Sequence, residues 1–226
     1  MDFAPIFIFD SKEKEFPCTI DNFMQSSSLW KNGKKIEDSG EDHSWVNHDL
    51  TDASLYHLKF DKKAHRFFED VSYTIIAGNV KVFCLAFCIN YGIGVFNLGY
   101  HDADFERVAI NYKEGWIYYG HHNGGTRMNL CDVENFDGRP IVYVARGGHA
   151  MYPSRGTKKR FCGVGNDVCD GQGKQMACYL ETEMGPNTGF QYYGCVNSGD
   201  QKLPYYRENG WKSNFVTKKA SGQACH

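Results

Sequence analysis

The sequence predicts an all-β protein, namely an antiparallel β-sandwich with long loops and one or two short helices. Aromatic residues make up 15% of the 226 residues and glycines number 24, a composition typical of strands joined by tight turns. Four strand-like runs follow one another between residues 105 and 148, with turns roughly every 8–12 residues, which is the spacing of a sandwich. No long helical pattern accompanies them, and this argues against a parallel α/β fold.

Charge and hydropathy exclude two classes of protein. The formal net charge is −2, so we expect no nucleic-acid partner. No run of about 18 apolar residues is present, so we expect no transmembrane segment. No linker divides the chain. We therefore expect a single domain over residues 1–226, with residues 160–226 as a cysteine-rich, loop-rich C-terminal part.

The N-terminal elements have clear local patterns. Apolar residues 3–9 predict a short strand, whereas residues 25–45 are polar and predict a loop. The alternating run 55–60 predicts a strand, and residues 62–70 are compatible with a helix of about two turns.

A hairpin is expected next. Residues 71–76 and 80–89 predict two strands, and Gly78-Asn79 between them is a hairpin signal. The second strand is apolar on both faces, which predicts a central position in its sheet. The remaining strands are predicted over residues 105–112, 116–122, 126–133, 140–148 and 189–196, with a loop over 152–175.

Residues 101–106 contain one histidine and three carboxylates, directly before and at the start of a predicted strand. If the strand already includes Asp104, its side chain shares a face with Glu106, about 6.5–7 Å along the strand. Two acids at that separation repel unless a positive charge lies between them. A divalent cation bound by both, with His101 reaching in from the loop, explains the pattern. The alternative is a solvated strand whose acids pair with basic neighbours.

Further residues that could support this site or bind a ligand lie at turns. His121 and His122 end a predicted strand beside a glycine pair, and His149 follows two glycines, where a backbone can approach a ligand closely. Each histidine taken alone is better explained by a hydrogen bond to a backbone carbonyl. Asp167 and Asp170 lie in a glycine-rich loop whose oxygen side chains suit calcium, although a plain turn explains them too and the EF-hand register is absent.

Nine cysteines suggest an oxidising location. Five fall in a C-terminal part that is poor in aliphatic residues, where cross-links would help most, so we expect disulfides and a secreted protein. A cytoplasmic location is the alternative. Cys84 and Cys88 lie in an apolar run and are expected to be buried as small hydrophobic residues. The five candidate disulfide cysteines are Cys162, Cys169, Cys178, Cys195 and Cys225.

The stretch HDADFERVAINY (101–112), read with GRPIVYVARGGHAMYP (138–153), is similar to the vacuolar protein sorting-associated protein 62 family. That family has a G-H-D-x-D-W-E-x-V strand and, downstream, a Y-V-A-R-G-S-H-A-x-Y-P block. The opening stretch 3–23 and the aspartate–glycine loop also match. The resemblance therefore spans most of residues 3–175.

The same strand more distantly resembles the necrosis- and ethylene-inducing-like proteins, secreted cytolysins with a G-H-R-H-D-W-E heptapeptide on a β-sandwich. In that family the first histidine, the aspartate and the glutamate help to hold a divalent cation needed for attack on plasma membranes. The resemblance implies that His101, Asp104 and Glu106 hold the cation, and Asp102, in place of the arginine, adds negative charge. Calcium or magnesium is then favoured, and zinc is the alternative.

Three functions are compatible with these observations. The first is a module that recognises a glycan or lipid head group at a membrane surface, with peripheral membrane contact, as a secreted cytolysin-like, defence or toxin protein. The second is a metal-dependent hydrolase in which His149 or Glu106 moves the proton. The third is an interaction domain with a purely structural cation. Aromatic residues that could stack on sugars or anchor at an interface are Trp116, Tyr118, Tyr205, Tyr206 and Trp211.

Overall fold

Short strands account for nearly all of the regular structure, which confirms the predicted all-β class. The computed structural model describes residues 4–38, 56–61, 68–92, 99–122, 124–160, 165–177, 180–183, 197–198 and 201–202. The helical elements in these ranges are short: the α-helix α1 (Ile20–Gln25) and a 3-10 helix at Leu130–Asp132.

The strands are numbered in chain order. They are β1 (Ile6–Phe9), β2 (Ser27–Lys31), β3 (Lys34–Glu37), β4 (Tyr56–Phe60), β5 (Val71–Ala77), β6 (Val80–Asn90), β7 (His101–Asn111), β8 (Trp116–His121), β9 (Gly124–Asn129), β10 (Asn135–Phe136), β11 (Arg139–Val144), β12 (Met151–Tyr152), β13 (Gly156–Lys158), β14 (Asp167–Cys169), β15 (Gln175–Ala177), β16 (Leu180–Glu183), β17 (Asn197–Ser198) and β18 (Gln201–Lys202).

Two sheets share one hydrophobic core. The larger sheet has the order β16-β5-β6-β7-β8-β9, and the smaller has the order β10-β11-β1-β15 with β12 also paired to β11. Alternate residues of β6, β7 and β8 pack against alternate residues of β1 and β11, which gives the sandwich that the sequence predicts. The core residues from these five strands are Phe7, Phe9, Phe83, Leu85, Phe87, Val108, Ile110, Ile117, Tyr119, Val142 and Val144.

The smaller sheet is apolar on both faces. Phe7 and Phe9 face the larger sheet, whereas Ile6 and Ile8 belong to a second buried cluster that includes Cys169 of β14. β1 pairs with β11 in parallel, although most strand pairs are antiparallel as predicted. The parallel pairs β1–β11, β5–β16 and β4–β17 are a feature that the sequence did not predict.

The predicted hairpin is formed by β5 and β6. Ala77 pairs with Val80 across the turn Gly78-Asn79, and Gly78 has φ +62°, a conformation that glycine adopts without steric cost. Residues 82–90 of β6 are all buried, and β6 lies between β5 and β7, which confirms its central position.

A third sheet replaces part of a predicted loop. Within residues 25–45, β2 and β3 form a hairpin, and β2 also pairs with β4. The polar composition gave no local signal for these strands. They are stabilised by pairing with β4, which is distant in sequence. Phe23 of α1 stacks on Phe60 of β4 with 5.8 Å between ring centroids.

Other boundaries also differ from the predictions. The predicted loop 152–175 contains the short pair β13–β14 and the first residue of β15. The strand predicted over 126–133 ends at Asn129, where the 3-10 helix begins. Of the predicted helix 62–70, residues 68–70 are not helical and the others lie outside the described residues, as does the predicted strand 189–196.

Candidate functional site

The strand β7 brings the predicted acids to one end of the sandwich core. Val108 and Ile110 of β7 lie in the core between the sheets, so the alternation that places them there also directs Asp104 and Glu106 to that face. The strand begins at His101. The expectation that His101 lies in the preceding loop is therefore wrong, because the pairing of β7 with β6 extends to Asn90 and His101.

Asp104 has one oxygen committed to neighbours. The residue is 1% exposed, and its Oδ2 lies 2.8 Å from His149 Nδ1 and accepts a hydrogen bond of 3.1 Å from Asn90 Nδ2. The other oxygen, Oδ1, lies 4.0 Å from His101 Nε2. The His101 side chain is also mostly buried, at 12% exposed, so neither member of the His101–Asp104 pair is a surface side chain.

His149 is fixed beneath Asp104. Its ring is completely buried and stacks on Phe87 with 3.8 Å between ring centroids. The backbone at His149 is left-handed, with φ +49°, and closes a tight turn through the hydrogen bond from its N–H to Ala145 O. Burial lowers the pKa of His149, but the carboxylates of Asp104 and Glu13 outweigh burial and raise the pKa to about 9.

Glu13 completes a buried row of ionisable groups with His149 and Asp104. Its Oε1 lies 3.8 Å from His149 Nε2, and its Oε2 accepts a 2.8 Å hydrogen bond from the Gly147 N–H. Although burial raises the pKa of Glu13, the neighbouring His149 and the backbone hydrogen bonds lower it further than burial raises it. Gly147 is needed here because a Cβ atom would lie 2.5 Å from the Gly92 carbonyl oxygen. The sequence patterns gave no indication of Glu13, because it lies 136 residues before His149, the residue it contacts.

Glu106 lies in a repulsive environment. Its side chain is partly buried, and burial and the nearby Asp104 carboxylate raise its pKa well above the usual value for a glutamate. Asp167 raises that pKa further, whereas Arg107 and His149 lower it. The ionised form of Glu106 is therefore disfavoured unless a positive charge is added.

Asp102 is engaged in a different way. One of its oxygens accepts a 3.3 Å hydrogen bond from the Phe60 N–H, and the other accepts a 3.2 Å hydrogen bond from the Tyr100 hydroxyl. The bond from Phe60 ties the start of β7 to β4. Within the described ranges, no three His, Cys, Asp or Glu side chains are placed so that they could hold one metal ion, and the four predicted ligands are not brought together as a complete set.

A second buried aspartate, Asp167 of β14, contacts Tyr152 of β12 and His122, the residue that follows β8. Its Oδ2 accepts hydrogen bonds from the Tyr152 hydroxyl at 2.6 Å and contacts His122 Nε2 at 2.6 Å. Arg160 donates to Oδ1 at 2.7 Å and to Oδ2 at 3.3 Å. Burial raises the pKa of Asp167, but these three partners lower it more. The sequence patterns did not single out Arg160, whose role depends on the pairing of β13 with β14.

The remaining predicted residues occupy separate places. His121 stacks on Tyr152 with 5.3 Å between ring centroids and contacts Thr126 Oγ1 at 3.0 Å. Asp170 accepts hydrogen bonds from the N–H and hydroxyl of Ser11 and joins its loop to the N-terminal segment. His122 is therefore the predicted turn histidine that meets Asp167, and Asp170 belongs to neither cluster.

Two further expectations are changed by burial. His149 is too deeply buried to exchange a proton with a substrate, which does not fit the predicted catalytic role for it. Trp116 is 5% exposed and lies under the Arg127 guanidinium, 4.2 Å from the ring centroid, so it is not an open stacking surface. Tyr205, Tyr206 and Trp211 lie outside the described residues.

The cysteines that the structure describes differ from the prediction. Cys131 is disulfide-bonded, whereas Cys18, Cys84, Cys88 and Cys169 are free and buried. The expectation of a disulfide at Cys169 is wrong, because its thiol is enclosed among Ser154, Gly156 and the second apolar cluster. The other candidate disulfide cysteines, Cys162, Cys178, Cys195 and Cys225, lie outside the described residues.

Comparison with known families agrees with the first sequence resemblance. Residues 77–177 match the family model for vacuolar protein sorting-associated protein 62. The match includes β7 and the turn that carries His149. No curated protein matches the chain, and no helix within the described ranges is long and apolar enough to cross a membrane.

Solved structures of toxin-fold proteins are similar to the chain over most of its length. The structure described as "NLPPya in complex with glucosamine" has 9% sequence identity and a TM-score of 0.47, over 95% of this chain and 85% of that chain. Its counterpart with mannosamine has 8% identity, and "Toxin fold for microbial attack and plant defense" has 10%, with the same TM-score and coverage. These structures belong to the second group that the sequence resembles.

Proposed function

We propose that this chain is a divalent-cation-binding module, and that its cation binds a hydroxyl or phosphate group of a glycan or lipid head group. The cation would lie between His101, Asp104 and Glu106. The observation that carries the proposal is that the two carboxylate oxygens of Asp104 have different surroundings. One oxygen is held by His149 and Asn90, and the other is directed toward His101 Nε2 at 4.0 Å.

The electrostatics of Glu106 support the same site. A cation beside Asp104 would remove the repulsion that raises the pKa of Glu106, and it would let both carboxylates ionise together. The three side chains do not share one point at ligand distance in this structure. Binding would therefore draw Glu106 toward the Asp104–His101 pair.

His149 acts in this proposal as a positioning residue. Ligand carboxylates in metal sites are usually held by hydrogen bonds from groups behind them. His149 has this place behind Asp104 and is itself held by Glu13 and by stacking on Phe87. Two carboxylates and one histidine favour calcium or magnesium, with zinc as the alternative.

The same proposal places the protein outside the cytoplasm. A disulfide at Cys131 fits an oxidising compartment. In this proposal the ligand is an extracellular glycan or a lipid head group of the outer membrane leaflet. In that setting, hydroxyl or phosphate oxygens of the ligand would complete the coordination of the cation.

The experiment measures binding of the full chain to a glycan array and to two kinds of vesicle, one of phosphatidylcholine alone and one that also contains a glycosylated sphingolipid. Each measurement is made with calcium, magnesium or zinc and again with chelator. We expect binding that requires a cation, with Asp104→Asn and Glu106→Gln each losing at least ten-fold in affinity. The control variant Asp132→Asn removes an exposed acid from the 3-10 helix and should bind as the unmodified chain does.

The outcomes separate the alternatives. Binding to the array and to glycosylated vesicles alike assigns the glycan as the ligand, and binding to both kinds of vesicle assigns the phosphate head group. Binding that persists in chelator would show that the cation has no part in recognition. A cation-dependent rise in melting temperature without any ligand binding would leave the cation a structural role only.

A further inference from the structure

Two buried thiols lie in contact on the outer face of the larger sheet. Cys88 Sγ lies 2.8 Å from Cys18 Sγ, and the two residues are 1% and 0% exposed. Unbonded heavy atoms pack most favourably at about 3.5–4.0 Å, so this contact is short. Both cysteines are free. The pair joins two parts of the chain that are 70 residues apart.

Backbone hydrogen bonds hold the two cysteines in this position. The Cys18 N–H donates to Ala86 O at 2.8 Å, so the N-terminal segment runs beside β6 just past the residue pair Tyr73–Cys84 of β5 and β6. The Glu69 N–H donates to Pro17 O at 2.9 Å and holds the segment from its other side. Because Ala86 and Cys88 belong to the same strand, the two thiols meet through the backbone and not through mobile side chains alone.

We propose that Cys18 and Cys88 form a disulfide bond that staples the N-terminal segment to β6. This inference is independent of the proposed cation site. The bond length of a disulfide is about 2.03–2.05 Å, so closing the pair requires the sulfur atoms to approach by less than about 1 Å. Both residues are held by backbone hydrogen bonds, so we expect side-chain rotation to supply this approach.

The oxidant would be a small-molecule disulfide such as oxidised glutathione. One cysteine thiolate attacks the small disulfide, forms a mixed disulfide and releases one small thiolate. The second cysteine thiolate then attacks the mixed disulfide and releases the other. In total the protein loses two protons and two electrons, and the small disulfide gains them as two thiols.

The bond would form mainly while the chain folds. The contact with the Cys88 thiol and burial hold the pKa of Cys18 well above that of a free thiol, so little thiolate exists once the protein is folded. The same burial would slow reduction of the finished bond in the folded protein, so reductant would act mainly on the unfolded chain during heating. The stapled segment carries Glu13, and β6 carries Phe87, so the disulfide would fix both supports of His149.

Cys84 provides a matched control within the same strand. It lies four residues before Cys88 on the same face of β6, and it is equally buried and free. Burial raises its pKa to about 12. A general tendency of buried thiols to oxidise would therefore affect Cys84 as much as its neighbour.

The decisive test is a disulfide map of the full chain after refolding in a buffer of oxidised and reduced glutathione. The protein is unfolded in guanidinium chloride without reductant, free thiols are blocked with iodoacetamide in that denaturant, and the digested protein is analysed by mass spectrometry with fragmentation. We expect a peptide containing Cys18 joined to one containing Cys88, with Cys84 alkylated. Alkylation of both Cys18 and Cys88, or a bond from Cys18 to Cys84, would overturn the proposal.

Thermal melting provides a second test. Reductant also breaks the disulfide at Cys131, but all the compared proteins share that bond, so its effect cancels in the comparison. We expect reductant to lower the melting temperature of the unmodified chain and of Cys84→Ala by about 10 °C more than it lowers that of Cys18→Ala or Cys88→Ala. Equal effects of reductant on all four proteins would contradict the staple. If a variant does not fold, the disulfide map of the unmodified chain still decides the question.

Discussion

Asp104 and Asp167 are both buried aspartates next to a histidine, yet they are in opposite states. Asp167 has both oxygens occupied by donors from His122, Tyr152 and Arg160, and its pKa is lowered. Asp104 has one oxygen held from behind, while the other is directed toward His101 and the repelled Glu106. Both oxygens of Asp167 are hydrogen-bonded, as suits a carboxylate that stabilises the fold, whereas under our proposal Asp104 directs its Oδ1 to a bound cation.

The comparison also separates two kinds of histidine. His149 is completely buried between carboxylates from distant parts of the chain. His122 is exposed at a strand end and reaches inward to Asp167. The first is an internal support, and the second closes a surface cluster. The two regions should therefore respond differently to substitution, to pH and to added cation.

The largest effect is expected from His149→Ala. This change leaves the Glu13 and Asp104 carboxylates buried without their shared cation and removes the ring that stacks on Phe87, so we expect a loss of about 4 kcal/mol in the free energy of unfolding. Urea denaturation measures it. His121→Ala is the control, because His121 is partly exposed and should cost about 1 kcal/mol. Equal costs for the two variants would contradict the buried row of ionisable groups.

A slightly smaller effect is expected from Asp167→Ala. The substitution leaves Arg160 and His122 facing each other without the acid between them, and it frees the Tyr152 hydroxyl. Because Arg160 and His122 are partly exposed, water can compensate in part, and we expect a loss of about 3 kcal/mol. Calcium should not alter this value. A change in the cost of the substitution on addition of calcium would show that Asp167 also takes part in cation binding.

The pH dependence of the free energy of unfolding should reveal the contribution of protonated His149. Its pKa is raised to about 9, so its contribution is fully present below its unfolded pKa of about 6.5 and is lost as pH rises through about 9. In chelator we expect stability to fall by about 2–3 kcal/mol over this range, and His149→Gln should remove most of the fall. Asp167 has the opposite sign, since its lowered pKa gives stability that is lost in acid as pH falls below about 4. A decline above pH 6.5 that persists in His149→Gln would refute the assignment.

The smallest effect on stability is expected from Glu106→Gln, and it has the opposite sign. An acid with a raised pKa destabilises the folded state once pH exceeds its unfolded pKa, so its neutral isostere should stabilise the protein by about 1 kcal/mol at pH 7 in chelator. The same variant should lose any stabilisation by calcium. Thermal melting in chelator and in calcium measures both effects, and a destabilised variant in chelator would indicate that Glu106 already has a favourable partner.

Local patterns were enough to predict the strands that form the sandwich. The alternation of β7 and the turn at Gly78-Asn79 depend on neighbours close in sequence, and both are found as expected. By contrast, β2 and β3 lie in a polar stretch and depend on pairing with β4. The parallel pairing of β1 with β11 joins residues about 135 positions apart, and no local pattern encodes it.

The same limit applies to the candidate site. Period-two alternation identified Asp104 and Glu106 as residues on one face, and the sequence resemblance directed attention to His149. Glu13 could not be found in this way, because it reaches His149 only through the tertiary packing of the N-terminal segment. Arg160 likewise meets Asp167 only after β13 and β14 pair.

The central claim of the proposal is that the start of β7 binds a divalent cation and that the Asp167 cluster does not. Calorimetric titration of the chelator-treated full chain with calcium, repeated with magnesium and zinc, tests it directly. We predict one binding site, weak enough to have a Kd of about 10⁻⁴–10⁻³ M for calcium, as in extracellular calcium modules. Binding should be lost in Asp104→Asn and Glu106→Gln and retained in Asp132→Asn. The absence of binding of all three cations to the unmodified chain, or unchanged binding in Asp104→Asn and Glu106→Gln, would contradict the claim.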